Sequence, residues 1–133
     1  MTYCLDTNIC IYILNGKYPV LFERMISHSP DEILIPSIVM AELLHGAEKS
    51  IKRDDNVNKI SAFLLPFEIV PFDAAGANHY AKIKSILERT GTVIGPNDHL
   101  IAATALARNA ILVTNNIYEF SRIDDLKLEN WTL

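Results

Sequence analysis

Asp6, Glu42, Asp98, Asn116 and Glu119 are the positions of this 133-residue chain whose type and spacing suggest chemistry. Asp6 directly follows the apolar run Tyr3-Cys4-Leu5 and leads into Thr7-Asn8. Glu42 is the only charge in the apolar stretch Ser37-Ile38-Val39-Met40-Ala41-Glu42-Leu43-Leu44. Asp98 closes Gly95-Pro96-Asn97-Asp98, ahead of Leu100-Ile101-Ala102-Ala103, and Asn116 and Glu119 follow the run Ile111-Leu112-Val113-Thr114. Three or four carboxylates brought to one place repel and cannot all stay ionised in a bare site. A hard divalent cation resolves that conflict. An all-oxygen donor set, without His or Cys at zinc spacing, selects Mg²⁺ or Mn²⁺ over zinc.

Each residue also has an ordinary explanation. Asp6 has the type and position of a helix cap for the segment that starts at Thr7. A glutamate such as Glu42 usually lies on a solvated helix face, although the polar residues here form no clear face before His45. Asn97 reads as the cap of the helix that holds Asp98. A carboxylate in that first turn gains about 0.3–1 kcal/mol from the helix dipole, which is explanation enough by itself. Asn116 and Glu119 read equally as an Asn-rich turn followed by a surface glutamate.

The elements that must position these residues follow from the apolar pattern. Short strands are expected at Tyr3-Leu5, Ile33-Ile35, Ile69-Val70 and Ile111-Thr114, with a short fifth at Lys127-Glu129. Helices are expected over Thr7–Leu14, stopped by Asn15-Gly16, and over Pro19–Ser27, with Val20, Phe22, Met25 and Ile26 as apolar positions. Further helices run from Pro36-Ser37 to about Lys49, from Asn56 to Leu65, from Asp73 to about Arg89, and from Pro96-Asn97 to about Arg108. The last of these is too apolar to be a surface helix. Strands alternating with helices imply an α/β fold with a parallel sheet covered on both faces. Right-handed crossovers bring the strand C-terminal ends to one edge, where open α/β sheets bind ligands at a switch in strand order. Asp6, Asn116 and Glu119 lie at such ends, and Glu42 and Asp98 lie at the starts of helices that approach the same edge.

Composition narrows the class. The length suits one domain, residues 1–133, and 50% hydrophobic with 21% charged residues argues against disorder. With 16 acids against 12 bases, the net charge of −4 speaks against coating nucleic acid by bulk electrostatics. It leaves room for an enzyme that holds nucleic acid through a local basic patch and metal ions. No apolar run approaches the roughly 20 residues of a membrane span, and no basic leader precedes the first strand. A cytoplasmic location is the expectation. Cys4 and Cys10, both in apolar runs, read as buried reduced thiols.

The blocks Leu5-Asp6-Thr7-Asn8, Ala41-Glu42-Leu43, Gly95-Pro96-Asn97-Asp98 with Ile101-Ala102-Ala103, and Thr114-Asn115-Asn116 with Glu119-Phe120 resemble the PIN-domain signature. Their wording is similar to the VapC-like ribonuclease toxins, as is the ending Ile123-Asp124-Asp125-Leu126-Lys127-Leu128-Glu129-Asn130-Trp131. The resemblance covers almost the whole chain. It implies a PIN-like three-layer α/β/α fold, with about five parallel strands and the first and fourth adjacent at the centre. It also implies that Asp6, Glu42 and Asp98 hold the metal, while Asn116 and Glu119 match a more variable fourth position. Thr7 and Thr114 would orient the metal surroundings or the scissile phosphate. The corresponding chemistry is hydrolysis of RNA phosphodiesters by a metal-activated water, with no serine or cysteine nucleophile. Asp6 and Asp98 would ligate directly, and Glu42 would ligate or position the water. The implied partners are an RNA substrate, transfer RNA being one option, a cognate VapB-like antitoxin, and a second copy of the chain in a homodimer or hetero-oligomer.

Mean hydropathy of +0.16 is high for a domain of this size, so part of the apolar surplus should form exposed patches for such contacts. The apolar faces of Thr7–Leu14 and of the Glu42 helix would suit an amphipathic antitoxin segment. Lys49, Lys52 and Arg53 could bind RNA backbone, or they are simply cations suited to a helix end. His45 and His99 read as surface or packing residues. Two other functions compete. A haloacid-dehalogenase-like phosphatase also starts from an aspartate after its first strand, but it expects a second aspartate where Asn8 stands. A catalytically idle PIN fold kept as a binding module would not need its acids intact.

Overall fold

The computed structural model describes all 133 residues, Met1–Leu133. In chain order the elements are β1 (Tyr3–Leu5), α1 (Thr7–Asn15), α2 (Pro19–Ile26), a 3₁₀ turn (Pro30–Glu32), β2 (Ile33–Pro36), α3 (Ser37–Glu48) and α4 (Arg53–Leu64). Then follow β3 (Glu68–Val70), α5 (Ala74–Thr90), α6 (Pro96–Ala107), β4 (Ile111–Val113), α7 (Ile117–Phe120) and β5 (Leu128–Glu129).

The five strands form one parallel sheet in the order β3-β2-β1-β4-β5. Every residue of β2 and β4 is buried, as are Cys4 and Leu5 of β1. Successive strand residues point to opposite faces, so this unbroken burial requires cover on both faces of the sheet. The α/β class and the central pairing of the first and fourth strands are therefore as expected. The chain leaves β1 in one direction to form β2 and β3, then returns past β1 to form β4. The change of direction between β1 and β4 opens a crevice at their C-terminal ends.

Helix ends are set by local chemistry. Asp6 caps α1, its Oδ1 accepting the Ile9 N–H at 2.9 Å, and Asp73 caps α5 by accepting the Gly76 N–H at 3.1 Å. Gly16 and Gly91 end the same two helices at φ 66° and 69°, a left-handed conformation that glycine adopts without strain.

Four details depart from the sequence reading. The cap of α6 is Gly95 rather than Asn97, because Pro96 is preorganised for the first helical position; Asp98 is still in the first turn. Helix α2 buries Leu21 and Met25, spaced four apart, and leaves Phe22 and Ile26 exposed at 50% and 60%. Helix α4 starts earlier, at Arg53, with Asp54 and Asp55 favoured by its N-terminal dipole. A short helix, α7, forms where only a turn was expected.

The core is continuous and apolar, and Cys4 and Cys10 lie fully inside it as free thiols. Helix α6 is buried from Ile101 through Ala105, as its composition demanded. Trp131 is fully buried, stacked on His28 at 5.1 Å, with its Nε1–H donating to Glu129 at 2.9 Å. This packing fixes the chain end against β5. No helix is long and apolar enough to cross a membrane.

Candidate active site

The β1–β4 crevice is where the acids collect. Register pairs Leu5 with Val113, so the residues that follow, Asp6 and Thr114, come side by side at the strand ends. The Asp6 N–H donates to the Val113 carbonyl at 3.2 Å and anchors this junction. Asp6 is only 6% exposed, and its side chain caps α1, so the capping expected of it is real and does not by itself exclude a place in the site. Burial pushes its carboxyl up to about 6, and the charges of Asp98 and Glu42 push the same way. The Thr114 side chain and the Ile9 amide oppose that rise by favouring the ionised form. Thr114 is itself fixed, fully buried and accepting the Asn116 N–H at 2.9 Å.

Glu42 lies in the second turn of α3, partly buried. The Thr7 hydroxyl donates to its Oε1 at 2.7 Å, so the carboxylate points into the crevice rather than along a solvated stripe. Asp98, half-buried in the first turn of α6, has its carboxyl raised by burial, then by Glu119, then by Glu42. Glu119, on α7, is therefore electrostatically part of this group. Asn116 precedes α7 and contributes its backbone N–H to Thr114, while its side chain makes no hydrogen bond. Both threonines at the strand ends thus act on carboxylates: Thr7 on Glu42, and Thr114 on Asp6.

These acids influence one another through space, but no three His, Cys, Asp or Glu side chains converge closely enough to enclose an ion. The donor set still fits a hard cation. It offers carboxylate and hydroxyl oxygens only, and Mg²⁺ typically keeps several waters and needs only one or two direct carboxylates. The raised pKa of buried Asp6 marks an uncompensated negative charge of the kind such an ion would neutralise.

The remaining polar residues sort themselves by environment. Arg53 is folded onto Glu48 and Asp54, with three hydrogen bonds of 2.7 Å, so the expected basic patch with Lys49 and Lys52 is partly neutralised. His99 is buried against Tyr80, with ring centroids 6.1 Å apart, and its Nδ1 has no hydrogen-bond partner, while His45 is exposed. A groove of about 340 Å³ runs between α1, α3 and α4, and Glu42 is part of its lining. Its apolar wall includes Ile11, Leu14, Leu43 and Ile60, and Asn15, Asn56 and Lys59 supply polar groups. The apolar faces of α1 and α3 were legible in sequence. The contribution of Asn56 and Lys59 was not, since it depends on how α4 packs.

Comparison with known proteins agrees with this geometry. The PIN-domain sequence model matches residues 3–126. A protein of Rickettsia felis named ribonuclease VapC2 is 47% identical over 133 residues, spanning 98% of each chain. A protein of Shigella flexneri named tRNA(fMet)-specific endonuclease VapC is 37% identical over 132 residues, spanning 99% of each. A crystal structure of VapBC2 from Rickettsia felis bound to a promoter DNA fragment contains a chain that superposes with a TM-score of 0.93 at 45% identity, covering 98% of this chain and 99% of that one. With a family match over nearly its whole length and end-to-end relatives well above chance identity, this chain belongs to the PIN-domain family.

Proposed function

We propose that this chain is a Mg²⁺-dependent endoribonuclease, able to use Mn²⁺, and the toxin of a toxin–antitoxin pair. The observation that carries the reading is geometric: β1–β4 register sets Asp6 beside Thr114, the Thr7 hydroxyl turns Glu42 toward them, and Glu42, Asp98 and Glu119 are near enough to help raise the carboxyls of Asp6 or Asp98. The relatives named ribonuclease and tRNA(fMet)-specific endonuclease support RNA as the substrate class. A structured RNA such as initiator transfer RNA is the first substrate to try.

Asp6 and Asp98 are the direct metal ligands in this reading. Thr7 holds Glu42 in one orientation, where it ligates or accepts a hydrogen bond from the attacking water. Glu119 supplies the fourth charge beside Asp98. When bound, the divalent ion neutralises phosphate charge and lowers the pKa of a water. Water is the attacking group in this reading, and no thiol competes with it: Cys4 and Cys10 are fully buried, with pKa values raised by burial, Cys4 to about 12.

The same site explains inhibition. The groove between α1, α3 and α4 suits the apolar face of an antitoxin segment. A basic side chain on that segment would reach Glu42 and compete with the metal for the acids. The related VapBC2 crystal structure supports an assembly with an antitoxin, and exposed Phe22, Ile26 and Leu65 leave apolar surface for self-association. The enzyme would act in the cytoplasm, where its RNA lies.

The test is brief induction in cells followed by mapping of new RNA ends. A few discrete cleavage positions, absent from the Asp98→Asn variant, are expected. No new ends, or identical ends from that variant, would contradict the assignment.

A further inference from the structure

One aromatic side chain next to Glu119 in sequence packs against no part of the core. Tyr118 is 78% exposed, lies in α7 directly before Glu119, and is absent from the apolar cluster that packs the core. The Arg122 guanidinium sits 5.1 Å from the centre of its ring. One nitrogen of that guanidinium, Nη1, donates to the Val93 carbonyl at 3.1 Å. Val93, itself 55% exposed, precedes Gly95 in the loop that leads to Asp98. Arg122 therefore ties the helix that carries Glu119 to the loop that carries Asp98. Arg24, Arg53 and Arg108 are each held in an ion pair, whereas Arg122, like Arg89 at the far end of α5, is in none.

An unpaired cation and an open aromatic face beside an acidic crevice match the two parts of a nucleotide. Bases stack on aromatic rings whatever their sequence, and guanidinium groups pair with phosphate oxygens. Such stacking requires a base that is out of its helix, as in a loop or a single strand. We propose that Tyr118 and Arg122 form a nucleotide-binding step next to the reacting phosphate. One unstacked base rests on Tyr118, and a neighbouring phosphate pairs with Arg122. This inference rests on the ribonuclease reading and adds two residues that hold the substrate beside the acids.

The experiment uses a short single-stranded RNA carrying 2-aminopurine, whose fluorescence is quenched on stacking, with Mg²⁺ and the full-length protein. Tyr118→Ala should raise KM about 10-fold, in keeping with the loss of one base stack, and abolish the quench. Its kcat should change less than about 2-fold, since the ring binds ground and transition states alike. Tyr118→Phe should behave as the parent. Arg122→Gln keeps a polar side chain but carries no charge. It should flatten the slope of log(kcat/KM) against log salt by about 0.7, the value for one phosphate contact on a single strand. Parental KM and quench in Tyr118→Ala, or a parental salt slope in Arg122→Gln, would overturn the proposal while leaving the ribonuclease reading standing. A parent that quenches the probe through Tyr118 but does not cut RNA would support the binding step and defeat the ribonuclease reading.

Discussion

The hydroxyl of Thr7 and the carboxylate of Glu42, 35 residues apart in the chain, meet in a 2.7 Å hydrogen bond that joins the start of α1 to the second turn of α3. Removing the hydroxyl while keeping the side-chain shape frees Glu42 to turn toward solvent. Thr7→Val should lower kcat about 10-fold, the loss typical of a misoriented acid near a metal, and cost about 1 kcal/mol of stability. Thr7→Ser should recover most of the rate. Steady-state cleavage and thermal melts of the three proteins measure both effects, and an unchanged kcat in Thr7→Val would remove Thr7 from the site.

Asp6 gives the metal-free protein a distinctive pH dependence. Its folded pKa of about 6 lies above the ordinary aspartate value, so the folded state binds the proton more tightly than the unfolded state. The stabilisation is fully present below about pH 4 and is lost as pH rises through about 6, a change on the order of 3 kcal/mol. Asp98, also raised, acts in the same sense. Glu48 and Glu68, held low by hydrogen bonds from Arg53 and Arg108, act oppositely and only at lower pH; being exposed, they contribute little. In EDTA the melting temperature should therefore fall between about pH 5 and pH 7.5, and Asp6→Asn should flatten that fall. Asparagine still caps α1, so Asp6→Ala should lie about 1 kcal/mol below Asp6→Asn at every pH. A melting temperature that rises across the interval would contradict the burial of an uncompensated carboxylate.

The fourth acid can be assigned by charge. Glu119 is the first charged neighbour to raise Asp98, ahead of Glu42, while Asn116 contributes a backbone N–H to Thr114. Glu119→Gln should weaken Mg²⁺ binding about 10-fold, and Asn116→Ala should weaken it less. Calorimetric titration of Mg²⁺ into the two variants decides between them, and a larger loss in Asn116→Ala would reverse the assignment.

The groove lets the proposed inhibition be tested apart from the proposed catalysis. Leu14 lines it from α1, is 37% exposed, and carries no group that could ligate a metal or bind phosphate. Leu14→Ser should weaken antitoxin binding about 10-fold through the loss of apolar contact. Cleavage of RNA by the free protein should be unaffected. Parental antitoxin affinity in this variant would move the docking surface elsewhere.

Much of this site could be read from the chain because apolar runs locate strand ends, and strand ends locate Asp6 and Thr114. The run Leu100-Ile101-Ala102-Ala103 announced a buried helix, which put Asp98 at the mouth of the crevice. Pro96 also carried the signal for the Gly95 cap, since proline favours the first helical position and leaves the cap to the residue before it. In α2, by contrast, Val20, Leu21, Phe22, Met25 and Ile26 surround most of an eight-residue helix. Periodicity cannot choose a face there, and only packing selects Leu21 over Phe22. The bond from Thr7 to Glu42 and the bridge from Arg122 to Val93, 29 residues distant, exist only once the sheet has brought remote segments together.

The most direct test of the central claim is cleavage of RNA by the purified protein with Mg²⁺ or with EDTA, alongside Asp6→Asn and Asp98→Asn. Both substitutions keep side-chain shape and remove a charge from the β1–β4 crevice. The parent should cut RNA with Mg²⁺ and stop in EDTA, and each folded variant should fall at least about 100-fold, as expected when a metal ligand is lost. Cleavage that persists in EDTA, or a folded variant that cuts at the parental rate, would contradict a metal centre built on Asp6 and Asp98.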